Sequence, residues 1–203
     1  YYTKLPNFYL LTKDQHALDS ITYPEGNKVE LFYDANGNLT SKKVIGKPGS
    51  NLADIVTTAN YNINTCSGLT CFRPNYVIDA NGKRTDYTFD AFHGGMLTKL
   101  EPANKHGVRR LTTNDYETIG GFKRLKQTSV CGGSECGTKK ELVTKYTYWN
   151  DTHLPETITK TNATNSISQT VTYTYDAAGR KLSEDGPLVG SNDAIFFRYD
   201  ATG

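Results

Sequence analysis

The sequence lacks several features that would assign a function directly. No segment approaches the roughly 18 consecutive apolar residues of a transmembrane helix, so no membrane span is predicted. The formal net charge is only +2, from 23 basic and 21 acidic residues scattered along the chain. Nucleic-acid-binding proteins usually carry a basic stripe or patch, and nucleic acid is therefore not a predicted partner.

Motifs of catalysis are missing as well. The sequence contains no Gly-x-Ser-x-Gly, His-Glu-x-x-His or phosphate-loop pattern. The four histidines are dispersed, and none of them lies at metal-ligand spacing from another: His16, His93, His106 and His153. We therefore predict no enzyme activity, no catalytic residue and no cofactor.

Residues that favour helices are scarce, whereas residues that favour strands are abundant. The chain has one Met and no long run rich in Ala, Leu, Glu and Lys, but Thr occurs 27 times and Tyr 14 times. Thr and Tyr suit the pleated, half-buried surface of a strand. An all-β fold is predicted, and 203 residues are enough for one domain to bury a sizeable core.

The clearest strand–turn–strand pattern lies at residues 171–185. Val171, Tyr173 and Tyr175 alternate with Thr and therefore share one face of a strand. Asp176 then begins a turn, and Gly179 supplies the positive φ that such a turn requires. The segment predicts a β-hairpin.

Related patterns recur along the chain. The tetrapeptide Asp-Ala-Asn-Gly occurs at 34–37 and again at 79–82, and Tyr-Asp-Ala-x-Gly occurs at 175–179 and 199–203. The Asn-Gly of the first copy predicts a type I′ turn, in which both residues have positive φ. Hairpins are expected near 29–45, 76–100, 116–130, 142–160 and 171–185, with a truncated one at 196–203.

An aromatic residue precedes each of these turns, and we call these residues the marker aromatics. They are Tyr33, Tyr61, Phe89, Tyr116, Tyr148, Tyr175 and Tyr199, spaced by 24 to 32 residues, with Tyr61 and Tyr116 in degenerate copies. A period of this size with two strands per unit predicts a repeat architecture, in which each hairpin buries its face against its neighbours. The alternative is an ordinary antiparallel sandwich whose turns are alike by chance.

The repeated residues resemble the YD-repeat, or Rhs, family, whose motif is approximately aromatic-Asp-x-x-Gly-Arg-Leu. The segment 33–39 matches with Asn in place of Arg, and the segment 175–182 matches with one residue inserted before Leu. Phe89 and Asp90 begin a lengthened variant of the turn. The repeat positions singled out are Tyr33, Asp34, Gly37, Phe89, Asp90, Tyr148, Tyr175, Asp176, Gly179, Arg180, Tyr199 and Asp200.

The resemblance implies a fold and a function. In this family a strip of β-hairpins spirals into a hollow shell, which in bacterial members encloses a C-terminal toxin or effector. Residues 1–203 would then be a single continuous segment and an arc of that wall, within a longer bacterial polypeptide that is secreted or lies at the cell surface. Its partners would be the remainder of that polypeptide, namely further YD repeats and the enclosed effector.

The repeat residues are predicted to have structural roles. The marker rings would stack between successive hairpins, with the Tyr hydroxyl solvated at a rim. The Asp at the start of each turn would accept backbone N–H bonds, as Asx residues do. Arg180 would pair with a turn carboxylate of a neighbouring hairpin.

An extracellular adhesion or binding module is the alternative hypothesis. Exposed Tyr faces on a sheet can stack on sugar rings or on protein partners, and an array of them supplies avidity. Glycans or cell-surface proteins would then be the partners. Burial of the alternating Tyr residues between hairpins favours the wall, whereas a row of exposed Tyr residues favours binding.

The cysteines form two pairs of equal spacing. Cys66 and Cys71 are five residues apart, as are Cys131 and Cys136, and each pair encloses a Gly- and Ser-bearing loop. Such a loop can bring the two sulfurs together, so a local disulfide in each loop is the favoured interpretation. Disulfides imply an oxidising compartment. A zinc site built from all four residues and four free thiols are the alternatives.

Overall fold

A computed structural model describes residues 2–4, 16–62 and 64–200. Within these ranges the protein consists of strands, loops and two short helix-like turns, Gly133–Glu135 and Trp149–Asp151, each of which includes at least one residue with positive φ. None of the described helical segments has the length and apolar character needed to cross a membrane. The chain divides into two compact units, Tyr1–Ala103 and Asn104–Gly203.

The first unit contains a two-stranded sheet and a longer antiparallel sheet. β1 (Tyr2–Lys4) pairs with β2 (His16–Leu18). The longer sheet follows chain order, with each strand antiparallel to the next. Its strands are β3 (Ser20–Thr22), β4 (Lys28–Tyr33), β5 (Leu39–Ile45), β6 (Ile55–Asn60), β7 (Tyr76–Ile78), β8 (Arg84–Phe89) and β9 (Met96–Leu100).

The second unit is built in the same way. Each strand again pairs with the strand that follows it in the chain, without a crossover. Its strands are β10 (Arg110–Ile119), β11 (Phe122–Gly132), β12 (Leu142–Tyr148), β13 (Pro155–Asn162), β14 (Ser168–Tyr175), β15 (Lys181–Asp185) and β16 (Ile195–Phe196). The prediction of an all-β array of antiparallel hairpins is confirmed.

The strand pairs β4–β5, β12–β13 and β14–β15 lie where hairpins were expected, near 29–45, 142–160 and 171–185. The range 76–100 holds three strands instead of two, because residues 79–82 make a turn of their own between β7 and β8. For the hairpin expected at 196–203, residues 201–203 lie outside the described residues, and Phe196 pairs with Ser183 of β15.

The hairpin expected near 116–130 is longer, with β10 and β11 reaching from Arg110 to Gly132. The prediction that Tyr116 stands directly before its turn is wrong. The strand continues to Ile119, and the turn is formed by Gly120 and Gly121, both with positive φ. A Gly-Gly pair satisfies the backbone of a two-residue hairpin turn without help from a side chain, so this copy does not need the Asp of the others.

A β-bulge lies directly before the marker aromatic in five hairpins. The pairing register shifts once in each of β4–β5, β8–β9, β10–β11, β12–β13 and β14–β15. The shift falls between Phe32 and Tyr33, Thr88 and Phe89, Asp115 and Tyr116, Thr147 and Tyr148, and Thr174 and Tyr175. A bulge bends and twists its strand and re-aims the next side chain. Even the degenerate Tyr116 copy keeps this feature.

Cross-strand hydroxyl pairs account for part of the high Thr content. Thr88 and Thr98 are paired residues whose Oγ1 atoms lie 2.7 Å apart, and Thr147 and Thr157 repeat the arrangement at 2.8 Å. The hydroxyls of Thr159 and Thr170 lie 2.9 Å apart. Such pairs are among the side-chain contacts that stabilise adjacent strands.

The core is small for a chain of this length. Among the described apolar residues only Val29, Cys131 and Val143 are buried, and no large described side chain is fully buried. The described residues therefore do not form the sizeable core that the chain length permits. The physical reason is the topology: within each unit the strands pair with strands next to them in the chain, and almost all described side chains are left half-buried or exposed.

Candidate interface between successive hairpins

Asp176 organises the turn between β14 and β15. The N–H of Gly179 donates to the Asp176 carbonyl at 2.9 Å, and the N–H of Asp176 donates to the Arg180 carbonyl at 3.0 Å. The carboxylate Oδ1 accepts the N–H groups of Ala178 at 3.0 Å and Arg180 at 2.9 Å. Gly179 has a φ of +81°, which glycine adopts without strain. As predicted, Asp176 accepts backbone N–H bonds of its own turn.

The same turn occurs at Asp34, Asp79 and Asn104. In each, Oδ1 accepts the N–H groups of the residues two and four positions later. The glycine three positions later has positive φ and donates to the carbonyl of the first residue. The copy at Asn104 is not among the predicted repeat positions, although its Asn-x-x-Gly spacing is a sequence signal that could have found it.

The predicted type I′ turn at Asn36–Gly37 is wrong. Gly37 has a φ of +81°, but Asn36 is not among the described residues with positive φ, and a type I′ turn needs both. The N–H of Gly37 donates to the Asp34 carbonyl, so Ala35 and Asn36 are the central residues and Gly37 follows them in the left-handed region. Asp34 favours this longer loop because its carboxylate bonds the loop backbone.

Phe89 and Asp90 form the lengthened variant that the sequence indicated. The N–H of Gly94, four residues on, donates to the Asp90 carbonyl. The Asp90 Oδ1 accepts the N–H groups of Phe92 at 2.8 Å and His93 at 3.0 Å. His93 accepts the N–H of Gly95 on Nδ1, so this histidine has a turn role.

Four marker tyrosines connect their hairpin to an earlier strand. The Tyr148 hydroxyl donates to the Leu125 carbonyl at 2.7 Å, and the Tyr175 hydroxyl donates to the Pro155 carbonyl at 2.8 Å. The Tyr199 hydroxyl donates to the Lys181 carbonyl at 2.7 Å. In the first unit the Tyr33 hydroxyl donates to the Leu18 carbonyl at 2.9 Å. The prediction of a solvated hydroxyl is wrong for these residues.

The acceptors in the second unit follow a rule. Leu125 is the pairing partner of Tyr116, Pro155 is that of Tyr148, and Lys181 is that of Tyr175. Each marker tyrosine therefore bonds the residue that faces the preceding marker aromatic. Burial raises the pKa of Tyr148 and of Tyr175, which keeps both hydroxyls protonated as donors over a wide pH range.

Arg180 contacts two hairpins. Its Nε donates to Oδ2 of Asp176 at 2.8 Å, within its own turn and not in a neighbouring hairpin as predicted. Its guanidinium lies 4.8 Å from the ring centre of Tyr199, in the next segment of the chain. Hydrogen bonds from the Arg180 backbone N–H and then from its guanidinium lower the pKa of Asp176. Arg180 therefore contacts the next segment of the chain through a cation–π interaction with Tyr199.

The hairpin connections also pack against one another. Trp149 lies 5.5 Å from Tyr175, ring centre to ring centre. Gly120 lies so close to the Asp151 carbonyl oxygen that a Cβ on Gly120 would overlap it. A Cβ on Gly179 would lie 3.3 Å from Leu154. Glycine at two of these turns therefore serves close approach as well as positive φ.

The four cysteines form two local disulfides, Cys66–Cys71 and Cys131–Cys136, each with its Cα atoms 5.0 Å apart. The first closes the connection between β6 and β7, and the second joins the end of β11 to the connection that follows. The first loop bridges two turns, since the Cys71 carbonyl accepts from Asn38 at 3.1 Å and Ser67 donates to the Ala91 carbonyl at 2.7 Å.

Comparison with known proteins gives a structural match. No protein-family model matches the sequence, and no curated protein matches it. The crystal structure of TcdB2–TccC3–Cdc42 matches with a TM-score of 0.58 and 13% identity, over 81% of this chain and 8% of that one. The chain shares its fold with part of that structure. A porin-like protein from Bacteroides uniformis, at 15% identity, covers 79% of this chain and 82% of its own length, but its TM-score of 0.29 is too low to support an argument.

Within the fold shared with TcdB2–TccC3–Cdc42, the predicted site residues do not converge on one point. Tyr33, Tyr148, Tyr175 and Tyr199 each make the same kind of contact, a hydroxyl bonded to the carbonyl of an earlier strand. Asp200 precedes residues that lie outside the described ones. In the described ranges, no group of three or more His, Cys, Asp or Glu residues could hold a metal ion.

Proposed function

We propose that this chain is a structural, non-enzymatic wall segment of an Rhs/YD-repeat shell, which encloses or carries a C-terminal toxin or effector. The mechanism is enclosure: the wall separates the cargo from its surroundings. The cargo and further YD repeats of the same polypeptide are the proposed partners.

The hydroxyl contacts of the marker tyrosines are the observation that carries the proposal. Tyr148 and Tyr175 each bond the backbone of the preceding hairpin, at a position defined by the preceding marker aromatic. A contact that repeats from one hairpin to the next sets the spacing between hairpins, as a wall requires. The alternating tyrosines Tyr33, Tyr148 and Tyr175 are half-buried, which favours the wall over a row of exposed binding faces.

The comparisons support the proposal at the level of fold. The matched part of TcdB2–TccC3–Cdc42 is 8% of its chain, so this chain spans a small fraction of that protein's length. The resemblance of the turn residues to the YD-repeat family points in the same direction.

A secreted or cell-surface location is part of the proposal. Two disulfides fit an oxidising compartment, because cytosolic thiols are kept reduced. We also propose that the chain is not an enzyme. The repeated carboxylates of Asp34, Asp79 and Asp176 support this, because each accepts backbone N–H bonds of its own turn and so has a structural role.

Limited proteolysis of the parent polypeptide tests this function. The polypeptide that contains this chain is treated with a protease, and the region C-terminal to residue 203 is followed by mass spectrometry. We expect that region to be protected in the native protein and cleaved after the wall is opened with urea. Rapid cleavage of the region in the native protein would contradict enclosure.

A further inference from the structure

A cavity of about 320 Å³ opens beside the Cys66–Cys71 loop in the first unit. Its walls come from that loop and from strand β8, with Tyr87 and Phe89 on the strand side. Ligand pockets usually occupy ~300–1,000 Å³, so this one has the size for a ligand of about one ring. It does not include any residue of the tyrosine contacts between hairpins.

The floor of the cavity is aromatic. The rings of Tyr87 and Phe89 are stacked, with centres 6.2 Å apart and planes that differ by 19°. Both side chains are half-buried, with area left for a ligand. Aromatic rings favour contact with the apolar face of a sugar ring, and Tyr87 adds a hydroxyl.

A guanidinium lies beside this floor. Arg73 is exposed, lines the cavity and has its charged carbon 5.6 Å from the centre of the Phe89 ring. Within the described part of the chain, no Asp or Glu forms an ion pair with Arg73. An Arg held on an aromatic face presents a planar fork of donors that matches a carboxylate.

Two amide side chains complete the polar rim. The backbone N–H of Asn62 donates to Oδ1 of Asn75 at 3.2 Å, which fixes one side of the rim. In the described residues, the Asn62 side-chain amide and the Nδ2 of Asn75 make no hydrogen bond. Both can therefore bond the hydroxyls of a ligand. Ser67 and Thr70 also line the cavity, but their hydroxyls already donate to backbone carbonyls, Ser67 to that of Ala91 and Thr70 to that of Ser67.

From this arrangement we infer that the cavity binds one acidic sugar ring, a uronate or a sialate. The carboxylate pairs with Arg73, the apolar face of the sugar packs against the Tyr87–Phe89 pair, and the ring hydroxyls bond Asn62 and Asn75. The inference does not depend on the wall function, because the tyrosine contacts between hairpins remain whether or not the cavity is occupied.

The disulfide positions one wall of this cavity. Thr65, Cys66, Ser67 and Thr70 all lie within or beside the closed loop. Reduction of the Cys66–Cys71 disulfide would let this wall of the cavity move. Reduction of the Cys131–Cys136 disulfide, which is in the second unit, would not affect the cavity. Sugar binding should therefore depend on one disulfide and not on the other.

Ligand-observed NMR with the 203-residue chain tests the inference. The probes are methyl β-D-glucuronide, methyl β-D-glucoside and acetate, with N-acetylneuraminic acid as the second acidic sugar. The glucuronide differs from the glucoside in its carboxylate, and acetate lacks the ring. We expect saturable binding of at least one acidic sugar, and binding of the glucoside and of acetate weaker by about tenfold or more, since each lacks one of the two recognised groups.

Matched variants separate the cavity from the rest of the surface. Arg73→Ala should weaken acidic-sugar binding by about tenfold or more. Arg84→Ala is the control, because Arg84 lies 3.9 Å over the Tyr76 ring but does not line the cavity. The double variant Cys66→Ser, Cys71→Ser should also weaken binding, whereas Cys131→Ser, Cys136→Ser should not. Circular dichroism checks that each variant is folded.

Three results would overturn the inference. One is the absence of saturable binding of either acidic sugar. Another is equal binding of glucuronide and glucoside, which would show that the carboxylate is not recognised. The last is binding that Arg73→Ala and Arg84→Ala reduce equally, which would indicate a general effect of positive charge.

Discussion

The hydroxyl of Tyr175 donates a hydrogen bond to the carbonyl of Pro155, 2.8 Å away in the preceding hairpin. Pro155 is the residue that faces Tyr148 across β12 and β13. Tyr148 in turn bonds Leu125, which faces Tyr116. Tyr148 and Tyr175 therefore each bond the preceding hairpin at a position that its strand register defines. This relationship gives the array a defined spacing despite its small core.

Tyr175→Phe removes this hydroxyl and keeps the ring. We expect it to lower the free energy of unfolding by about 1 kcal/mol, the usual net value of one hydrogen bond. Tyr173→Phe is the control, because Tyr173 lies two residues away and its hydroxyl makes no hydrogen bond within the described chain; its effect should stay within about 0.5 kcal/mol. Urea unfolding measures both, and equal effects would count against the contact.

Gly120→Ala tests the close packing of neighbouring connections. Both Gly120 and Gly121 have positive φ, so Ala at either position costs about 1–2 kcal/mol in backbone strain. Only at Gly120 would the new Cβ overlap the Asp151 carbonyl, since a Cβ on Gly121 has nothing within 4 Å. We expect Gly120→Ala to destabilise clearly more than Gly121→Ala in thermal unfolding. Indistinguishable melting temperatures would contradict the packing.

Asp176 should make stability depend on acid pH. Its folded pKa is lowered, chiefly by the Arg180 backbone N–H. The stabilisation is thus present above the unfolded pKa and is lost as pH falls through the folded pKa. Asp176→Asn keeps an Oδ1 acceptor, as Asn104 does in its own turn, but cannot titrate. Its urea midpoint should fall less between pH 5 and pH 2 than that of the parent chain, and Asp176→Ala should have a lower midpoint than Asp176→Asn at pH 7. A parent-like acid profile for Asp176→Asn would refute this.

Alkaline pH should lower the stability that the half-buried tyrosines Tyr148 and Tyr175 contribute. Burial raises the pKa of Tyr148 and Tyr175 in the folded chain above the unfolded value of about 10. Folding therefore favours the protonated form, and the associated stability is complete below pH ~10 and is lost as pH rises through the folded values. Urea midpoints between pH 8 and pH 11.5 measure this loss. The double variant Tyr148→Phe, Tyr175→Phe should have a shallower alkaline decline, and an unchanged decline would argue against these two residues.

The hairpins could be predicted because their signals are local. Asp176 and Gly179 close a turn through bonds within five residues, and Tyr173 and Tyr175 mark a strand by alternation alone. The disulfide pairing was predictable for the same reason, as Cys66 and Cys71 lie in one short loop. Patterns of this kind need no knowledge of distant residues.

The contacts between hairpins could not be predicted in this way. The acceptor for Tyr175 is a backbone carbonyl, which every residue has, so Pro155 carries no signature of the role. Arg180 was expected to reach a neighbouring carboxylate, but Asp176 in its own turn is nearer. The ligand cavity combines residues from 62 to 91, and Arg73 and Tyr87 become neighbours only after β6, β7 and β8 are paired.

Electron cryo-microscopy of the parent polypeptide tests the central claim most directly. We expect a hollow particle whose wall includes residues 16–200 as consecutive antiparallel hairpins, with Tyr175 bonded to Pro155 and the region C-terminal to residue 203 inside. An open structure in which that region lies outside, in contact with solvent, would contradict the assignment of this chain as the wall of an enclosing shell.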